Sequence, residues 1–330
     1  MFILALESSC DETAVAILRD REILANLVSS QLATHQPFGG VVPELAARMH
    51  LEALRPLLDE AFAQAGMDPG RLDMVCATRG PGLIGALLVG FSAAKAIAWA
   101  ADKPFVGVNH IVAHIYANFI GGTPPAFPLL CLTVSGGHTG LYYMTAHHHL
   151  EALGQTRDDA AGECLDKAAR VLGLGYPGGP AIESAARDGT ARFSLPSPAI
   201  DGGLDFSFSG LKTAVVNLCH RLEARGETIP RSDLAASLQE AVVDGLLKQL
   251  RRAVQATGVK TVLLAGGVSA NQTLQARTAA MAAEVGAVFH APPRHLCTDN
   301  AAMVACAGYH RFLCGGADGL GLGVDPDLRL

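Results

Sequence analysis

The sequence predicts an α/β protein built from two similar lobes that face each other across a cleft. A strand, a polar turn and a returning strand at residues 2–18 recur at 129–144, and a strand, glycine-rich turn and helix at 74–98 recur at 262–284. A chain of 330 residues, 50% hydrophobic, is also more than one core organises. Only 17% of residues are charged and 36 are glycine, which fits an enzyme with glycine turns and excludes a disordered or fibrous chain. The lobes are assigned to residues 1–126 plus 305–330, and to 127–304 with an irregular insertion around 190–211. In open α/β sheets ligands bind beyond the carboxyl ends of the strands, so the turns there are the candidate site.

Each element has its own signal. Phe2 to Leu6 is an apolar strand, Glu7 to Thr13 a polar turn, and Ala14 to Leu18 the returning strand. Val41 to Ala65 carries helical periodicity and opens on Pro-Glu-Leu-Ala. Met74 to Thr78 is a strand, residues 83–100 an apolar helix, and Phe105 to Val108 a strand that delivers His110 onto the next helix. The second series runs from a strand at Leu129 to Val134, through a hairpin return at Leu141 to Met144, to helices around 160–173 and 177–188. Residues 190–211, rich in Pro, Gly, Ser and Phe, read as an excursion. Amphipathic helices follow at about 211–225 and 231–257. A strand at Val262 to Ala265, a helix near 272–285, a short strand near 287–290 and a last helix complete the chain.

The bulk numbers exclude several classes. Eight cysteines are scattered with no Cys-x-x-Cys, which reads as reduced, mostly buried thiols of a cytoplasmic protein. The start of the chain lacks the basic stretch and cleavage site of a signal peptide. Leu83 to Ala101 is long enough to tempt a membrane reading. Lys95 interrupts it and its glycines and alanines are only mildly apolar, so it reads as a buried helix and no membrane partner is expected. A net charge of −6 argues against a free-standing nucleic-acid binder, although Arg192, Lys212, Arg221, Arg225, Arg231, Lys248, Arg251, Arg252, Arg277 and Arg294 concentrate positive charge in the C-terminal half.

His110 and His114 stand one helical turn apart, so both imidazoles share a face and can grip one transition-metal ion. Asp299 precedes the last helix, either as its N-cap or as a third, carboxylate ligand that leaves open coordination positions. Ser135 to Thr139 and Gly266 to Asn271 are strand-end turns whose backbone N–H groups can cradle an anion. Asp166 on a helix pairs either with Arg170 or with the hydroxyls of a ribose. His147 to His149 reads as a solvated turn. Neither a P-loop nor a dinucleotide fingerprint is present.

Nine segments together carry a family resemblance: residues 6–13 (Leu-Glu-Ser-Ser-Cys-Asp-Glu-Thr), 39–48, 80–90, 109–114 (Asn-His-x-x-x-His), 134–139 (Val-Ser-Gly-Gly-His-Thr), 176–180, 205–213 (Asp-Phe-Ser-Phe-Ser-Gly-Leu-Lys-Thr), 265–271 and 297–300. They resemble the tRNA adenosine threonylcarbamoyltransferase family, formerly called O-sialoglycoprotein endopeptidases. The resemblance implies the actin, sugar kinase and Hsp70 type of duplicated fold. It implies transfer of a threonylcarbamoyl group from threonylcarbamoyl-AMP to the exocyclic amine of the adenosine next to the anticodon, in tRNAs reading codons that begin with A. By position it assigns His110, His114 and Asp299 to one divalent metal, iron(II) favoured and zinc also suited. Thr133, Val134, Ser135, Gly136, Gly137, Asp166, Gly179 and Asn271 fall at substrate positions, and Glu183 where some relatives carry an acidic ribose contact. The implied partners are tRNA, an inactive paralogous subunit of the same fold and a small P-loop ATPase. Val112-Ala113 replaces the Glu-Gly that many relatives carry between the histidines, and Cys164-Leu165 replaces a small residue and Phe.

The acceptor amine is a poor nucleophile, so the chemistry needs a proton acceptor. Asp11 and Glu12 are the candidates, with hairpin capping or orientation as their alternative role. A metal-dependent peptidase is the weaker reading, because a zincin needs Glu directly after the first His and Ile111 stands there. An ATP-dependent kinase or ATPase of the same superfamily is the other, disfavoured because such sites hold Mg²⁺ with carboxylates and phosphates rather than imidazoles.

Overall fold

A computed structural model describes residues Met1–Leu330. The chain divides into two compact units, one of Met1–Pro125, Ala146–His149 and Pro292–Leu330, the other of Ala126–Thr145 and Leu150–Ala291. Asp299 therefore belongs to the same unit as His110 and His114.

The first unit is a five-stranded mixed sheet in the order β3-β2-β1-β4-β5. β1 (Phe2–Glu7), β2 (Glu12–Arg19) and β3 (Glu22–Ser30) are antiparallel neighbours, while β4 (Met74–Gly80) and β5 (Phe105–Asn109) run parallel to β1. The side-chain period of two sends Leu4, Leu6, Val75 and Ala77 into the core shared with α2 (Pro43–Ala65) and α3 (Ile84–Ala100). Cys76 and Val108 meet α10 (Ala301–Gly315), where Gly308 has no room for a side chain because a Cβ would overlap the Cys76 thiol. The short α1 (Leu32–His35) and α4 (His110–Tyr116) complete this unit.

The second unit repeats the pattern in the order β10-β9-β6-β7-β8. β6 (Leu129–Val134) is antiparallel to β7 (Thr139–Ala146) and parallel to β9 (Thr261–Ala265), and β10 (Val288–His290) is parallel to β9. Position for position this is the first sheet again, so the α/β class and the internal duplication are both present. β8 (His149–Gln155) is the edge strand. The helices are α5 (Ala161–Val171), α6 (Gly178–Ala186), α7 (Ser209–Ala224), α8 (Arg231–Thr257) and α9 (Gln272–Glu284).

Three expectations need correction. The third strand of each sheet, β3 and β8, is absent from the sequence reading. Both are edge strands with mixed burial, so neither shows the alternation that marks a half-buried strand. The apolar helix at 83–100 is not wholly buried: Ala86, Leu87, Gly90, Phe91, Ala94 and Ala98 face the core, whereas Ile84, Leu88 and Trp99 are exposed. No helix is long and apolar enough to cross a membrane.

The third correction concerns His147 to His149. His147 and His148 are half-buried in an aromatic cluster, with His147 stacked on His310 at 3.9 Å between ring centres and His148 stacked on Tyr116 at 5.2 Å. Burial, with the charges of neighbouring Arg311 and His147 respectively, pushes His148 down to about 4 and His310 to about 3. Both lie below the ordinary histidine value near 6.5, so the unfolded chain binds these protons more tightly. The stability they contribute is complete above pH 6.5 and is lost as pH falls toward 4 and then 3. Thermal melting followed from pH 7 to 4 should show a decline that His310→Phe, which keeps the stack without the proton site, makes shallower; parallel curves would remove the cluster from acid sensitivity.

Candidate active site and metal centre

The end of β5 builds the first half of the site. Asn109 caps α4, its side-chain oxygen accepting from the N–H groups of Ile111 at 2.9 Å and Val112 at 3.2 Å. The cap sets the helix phase, and the one-turn spacing then brings the His110 and His114 rings to 4.6 Å between centres. Asp299 arrives from the turn before α10. The N-cap of that helix is Asn300, which accepts from Met303 N–H at 3.0 Å, so capping is not the role of Asp299. Its Oδ1 instead lies 3.1 Å from His114 Nε2 and 3.7 Å from His110 Nε2.

One ligand atom from each of the three residues lies within 4.8 Å of the others. Two ligands about 2.1 Å from one ion at tetrahedral or octahedral angles stand about 3.0–3.4 Å apart, so these side chains need little adjustment to share a cation. Both ring nitrogens of His114 are buried and have no hydrogen-bond partner. An orphaned buried imidazole is costly unless something satisfies it, and a cation bound at Nε2 does so. The residues therefore fit a divalent transition metal.

Around this trio the turn between β1 and β2 supplies carboxylates. Glu7 is fully buried and accepts from Ser9 N–H at 2.6 Å, Thr78 Oγ1 at 2.6 Å and His110 Nδ1 at 3.1 Å. Burial opposes its charge, but the facing His110 outweighs this and holds the carboxyl below its usual range. His110 feels the same balance: burial lowers it, while Asp299 and Glu7 together raise it to about 9. Asp11 is buried and Glu12 half-buried, with Ser30 Oγ reaching Glu12 at 3.3 Å. Burial, then Asp299 and Asp11, push Glu12 up to about 10. At neutral pH and without a cation Glu12 thus keeps its proton.

His50 locks the same turn. Its Nε2–H donates to the Cys10 carbonyl at 3.0 Å and its Nδ1 accepts from the Thr13 hydroxyl at 2.7 Å, with burial holding the ring neutral. Glu7, Thr78 and His50 were not singled out from the sequence. His50 was detectable, since it falls in phase with the inward Ala46 and Leu54 of α2. Glu7 and Thr78, 71 residues apart, become neighbours only through the parallel pairing of β1 with β4.

The second unit gathers the remaining candidates. Thr133 and Val134 end β6 and are buried, while Ser135 closes a tight turn, donating its N–H to the His138 carbonyl at 2.8 Å. Gly136 and Gly137 face open space, where even a Cβ would meet nothing within 4 Å, so their bare backbone is accessible to a ligand. The α5 N-terminus sits directly on this turn: Gly162 N–H donates to the Ser135 carbonyl at 3.1 Å, and a Cβ there would lie 2.6 Å from that oxygen. Asp166 receives the Gly178 N–H at 2.6 Å, which ties α5 to the start of α6. Glu183 accepts from Gln272 N–H at 2.8 Å and so helps cap α9. Asn271 caps α9 through Leu274 N–H at 2.9 Å and donates to Gln239 Oε1 at 2.9 Å. Gly179, Asn271 and Gln239 line a small cavity otherwise walled by Leu165, Ile182, Val268 and Leu274. Asp158 anchors the 190–211 excursion, accepting from Phe208 N–H at 2.7 Å and from Ser209 Oγ at 2.7 Å.

Seven of the ten basic residues named in the C-terminal half are paired with acids. Arg192, Lys212, Arg225, Lys248, Arg251, Arg252 and Arg277 all stand in ion pairs with Asp or Glu. All eight cysteines are free thiols.

Comparison with known proteins agrees with this assembly. The family model described as tRNA N6-adenosine threonylcarbamoyltransferase matches residues 22–306. Proteins carrying that name are 51% identical over 99% of the chain and 96% of their own length in Symbiobacterium thermophilum, and 47% identical over 100% and 99% in Dictyoglomus turgidum. In Dehalococcoides mccartyi the identity is 50% over 100% of the chain and 99% of the relative. The three names are those of a transferase, not of a peptidase or a kinase. Among solved structures, HypF from T. kodakarensis superimposes with a TM-score of 0.63 at 16% identity, covering 96% of this chain and 48% of that one, a likeness of fold. The duplicated sheets, the His-His-Asp cluster and this near full-length similarity converge: the chain belongs to the tRNA N6-adenosine threonylcarbamoyltransferase family.

Proposed function

We propose that the protein transfers a threonylcarbamoyl group from threonylcarbamoyl-AMP to the exocyclic amine of the adenosine beside the anticodon, in tRNAs reading codons that begin with A. The observation that carries this reading is the convergence of His110, His114 and Asp299, with His114 otherwise unsatisfied, in a chain about half identical to transferases of that name. His110, His114 and Asp299 hold one divalent cation, iron(II) or zinc. When bound, such an ion supplies Lewis acidity to donor oxygens and orients them.

The chain's own groups do the rest. The open backbone of Gly136 and Gly137, with Thr133, Val134 and Ser135, stabilises negative charge on carbonyl or phosphate oxygens. Asp166, Gly179, Glu183 and Asn271 hold the nucleoside half, beside the apolar cavity wall. Asp11 or Glu12 accepts the proton released as the amine attacks the carbamoyl carbon and AMP departs. We place the enzyme in the cytoplasm, with a paralogous subunit of the same fold and a small P-loop ATPase as partners. The exposed Leu51 on α2 and Ile84 and Leu88 on α3 are apolar surface of the kind a subunit covers, on two helices close enough that a Cβ added at Gly85 would stand 3.3 Å from the Ala47 Cβ. With a net charge of −6 and seven of the C-terminal basic side chains already paired, tRNA binding draws on such partners.

A transfer assay with the purified chain, synthetic donor and unmodified tRNA, with and without partners, tests the reading. Threonylcarbamoylated adenosine is the expected product; none under any combination would sink it. In the same assay Glu12→Gln should lower turnover by roughly 100-fold, the usual range for losing a positioned base, with donor affinity retained. Unchanged turnover removes Glu12 from the base role.

A further inference from the structure

We infer that Glu7 is a positioning residue that fixes His110 with its proton on Nδ1, presenting the Nε2 lone pair to the cation shared with His114 and Asp299. The inference rests on the metal-binding reading above. Neutral imidazole carries one N–H, and the better acceptor decides which nitrogen keeps it. At Nδ1 the Glu7 Oε2 stands 3.1 Å away and Ser9 Oγ 3.2 Å. At Nε2 the nearest carboxylate oxygen, on Asp299, is 3.7 Å away, beyond a hydrogen bond.

Glu7 is itself over-determined. Its Oε1 takes the Ser9 N–H, an obligatory donor, and its Oε2 takes the Thr78 hydroxyl. A side chain with no exposed surface and donors on both oxygens behaves as a fixed acceptor, which is what holds a ring in one orientation. The arrangement spans β1, β4 and the start of α4, so the sheet itself aims the ligand. His114 has no equivalent partner, which makes His110 the pre-aimed member of the pair.

The test titrates the full-length protein with Co²⁺, read by its visible absorption. Glu7→Gln introduces an N–H₂ that cannot accept from both Ser9 and His110, and it should weaken Co²⁺ binding 10–100-fold, the usual loss when a carboxylate behind a ligating histidine is removed. Long-range ¹H–¹⁵N spectra of the Zn²⁺-loaded wild type supply a readout that needs no variant, with His110 showing its one proton on Nδ1 and none on Nε2. Thr78→Val, which removes a Glu7 contact without touching His110, should weaken binding less than Glu7→Gln. Equal affinities of wild type and Glu7→Gln, or a His110 proton on Nε2, overturn the role of Glu7 and leave the metal site standing. No Co²⁺ binding by wild type overturns the metal reading and this inference together.

Discussion

Replacing His114 with alanine is expected to abolish cation binding and to lower threonylcarbamoyl transfer by more than roughly 100-fold, beyond what loss of a supporting residue costs. His110 and Asp299 alone cannot hold a cation at the affinity of three preorganised ligands. The stability readout separates this from simple damage. In the metal-free wild type the His114 ring is buried with two unsatisfied nitrogens, a standing penalty that alanine removes. The variant should therefore keep its fold without metal but lose the rise in melting temperature that saturating Zn²⁺ gives the wild type. At 100-fold excess over Kd that rise corresponds to about 2.7 kcal/mol. A variant that still melts higher with Zn²⁺ would exclude His114 as a ligand.

The second large effect is expected at Gly266. Its backbone, φ 85° and ψ 163°, lies in a region essentially reserved for glycine, and a Cβ there would stand 2.5 Å from the Val134 carbonyl oxygen. Gly266→Ala combines backbone strain of about 1–3 kcal/mol with overlap of similar size. A loss of about 3 kcal/mol lowers melting by on the order of 6–12 °C. The same change displaces the turn that carries Asn271 from the end of β6, so KM for the adenylate donor should rise more than kcat falls. A melting temperature within a degree of wild type would show that the turn tolerates a side chain, and the close approach of β6 and β9 would need another account.

How much was legible in the sequence follows from which interactions are local. The one-turn spacing of His110 and His114 and the glycine turns after β6 and β9 are relations within a few residues, and each appears where its pattern indicates. Alternation marked the central strands, because both of their faces or every second residue must be apolar. It failed for β3 and β8, whose edge positions leave their side chains half in solvent. The His147 and His148 tip read as solvated because polar side chains in a turn are exposed unless something distant covers them, and His310 and Tyr116 do.

The sequence by itself determined the α/β class, the internal repeat, the glycine turns and one face of the metal centre, since each follows from backbone propensity or helical and strand period. The tertiary structure decided the rest: that Asn300 rather than Asp299 caps α10, that Asp299 meets the histidines, and that Glu7 stands behind His110. Those relations join residues up to 189 positions apart in number, from 110 to 299. They arise because neighbouring strands and a helix bury their apolar sides together and carry polar ends to one place, a geometry no short window of sequence contains.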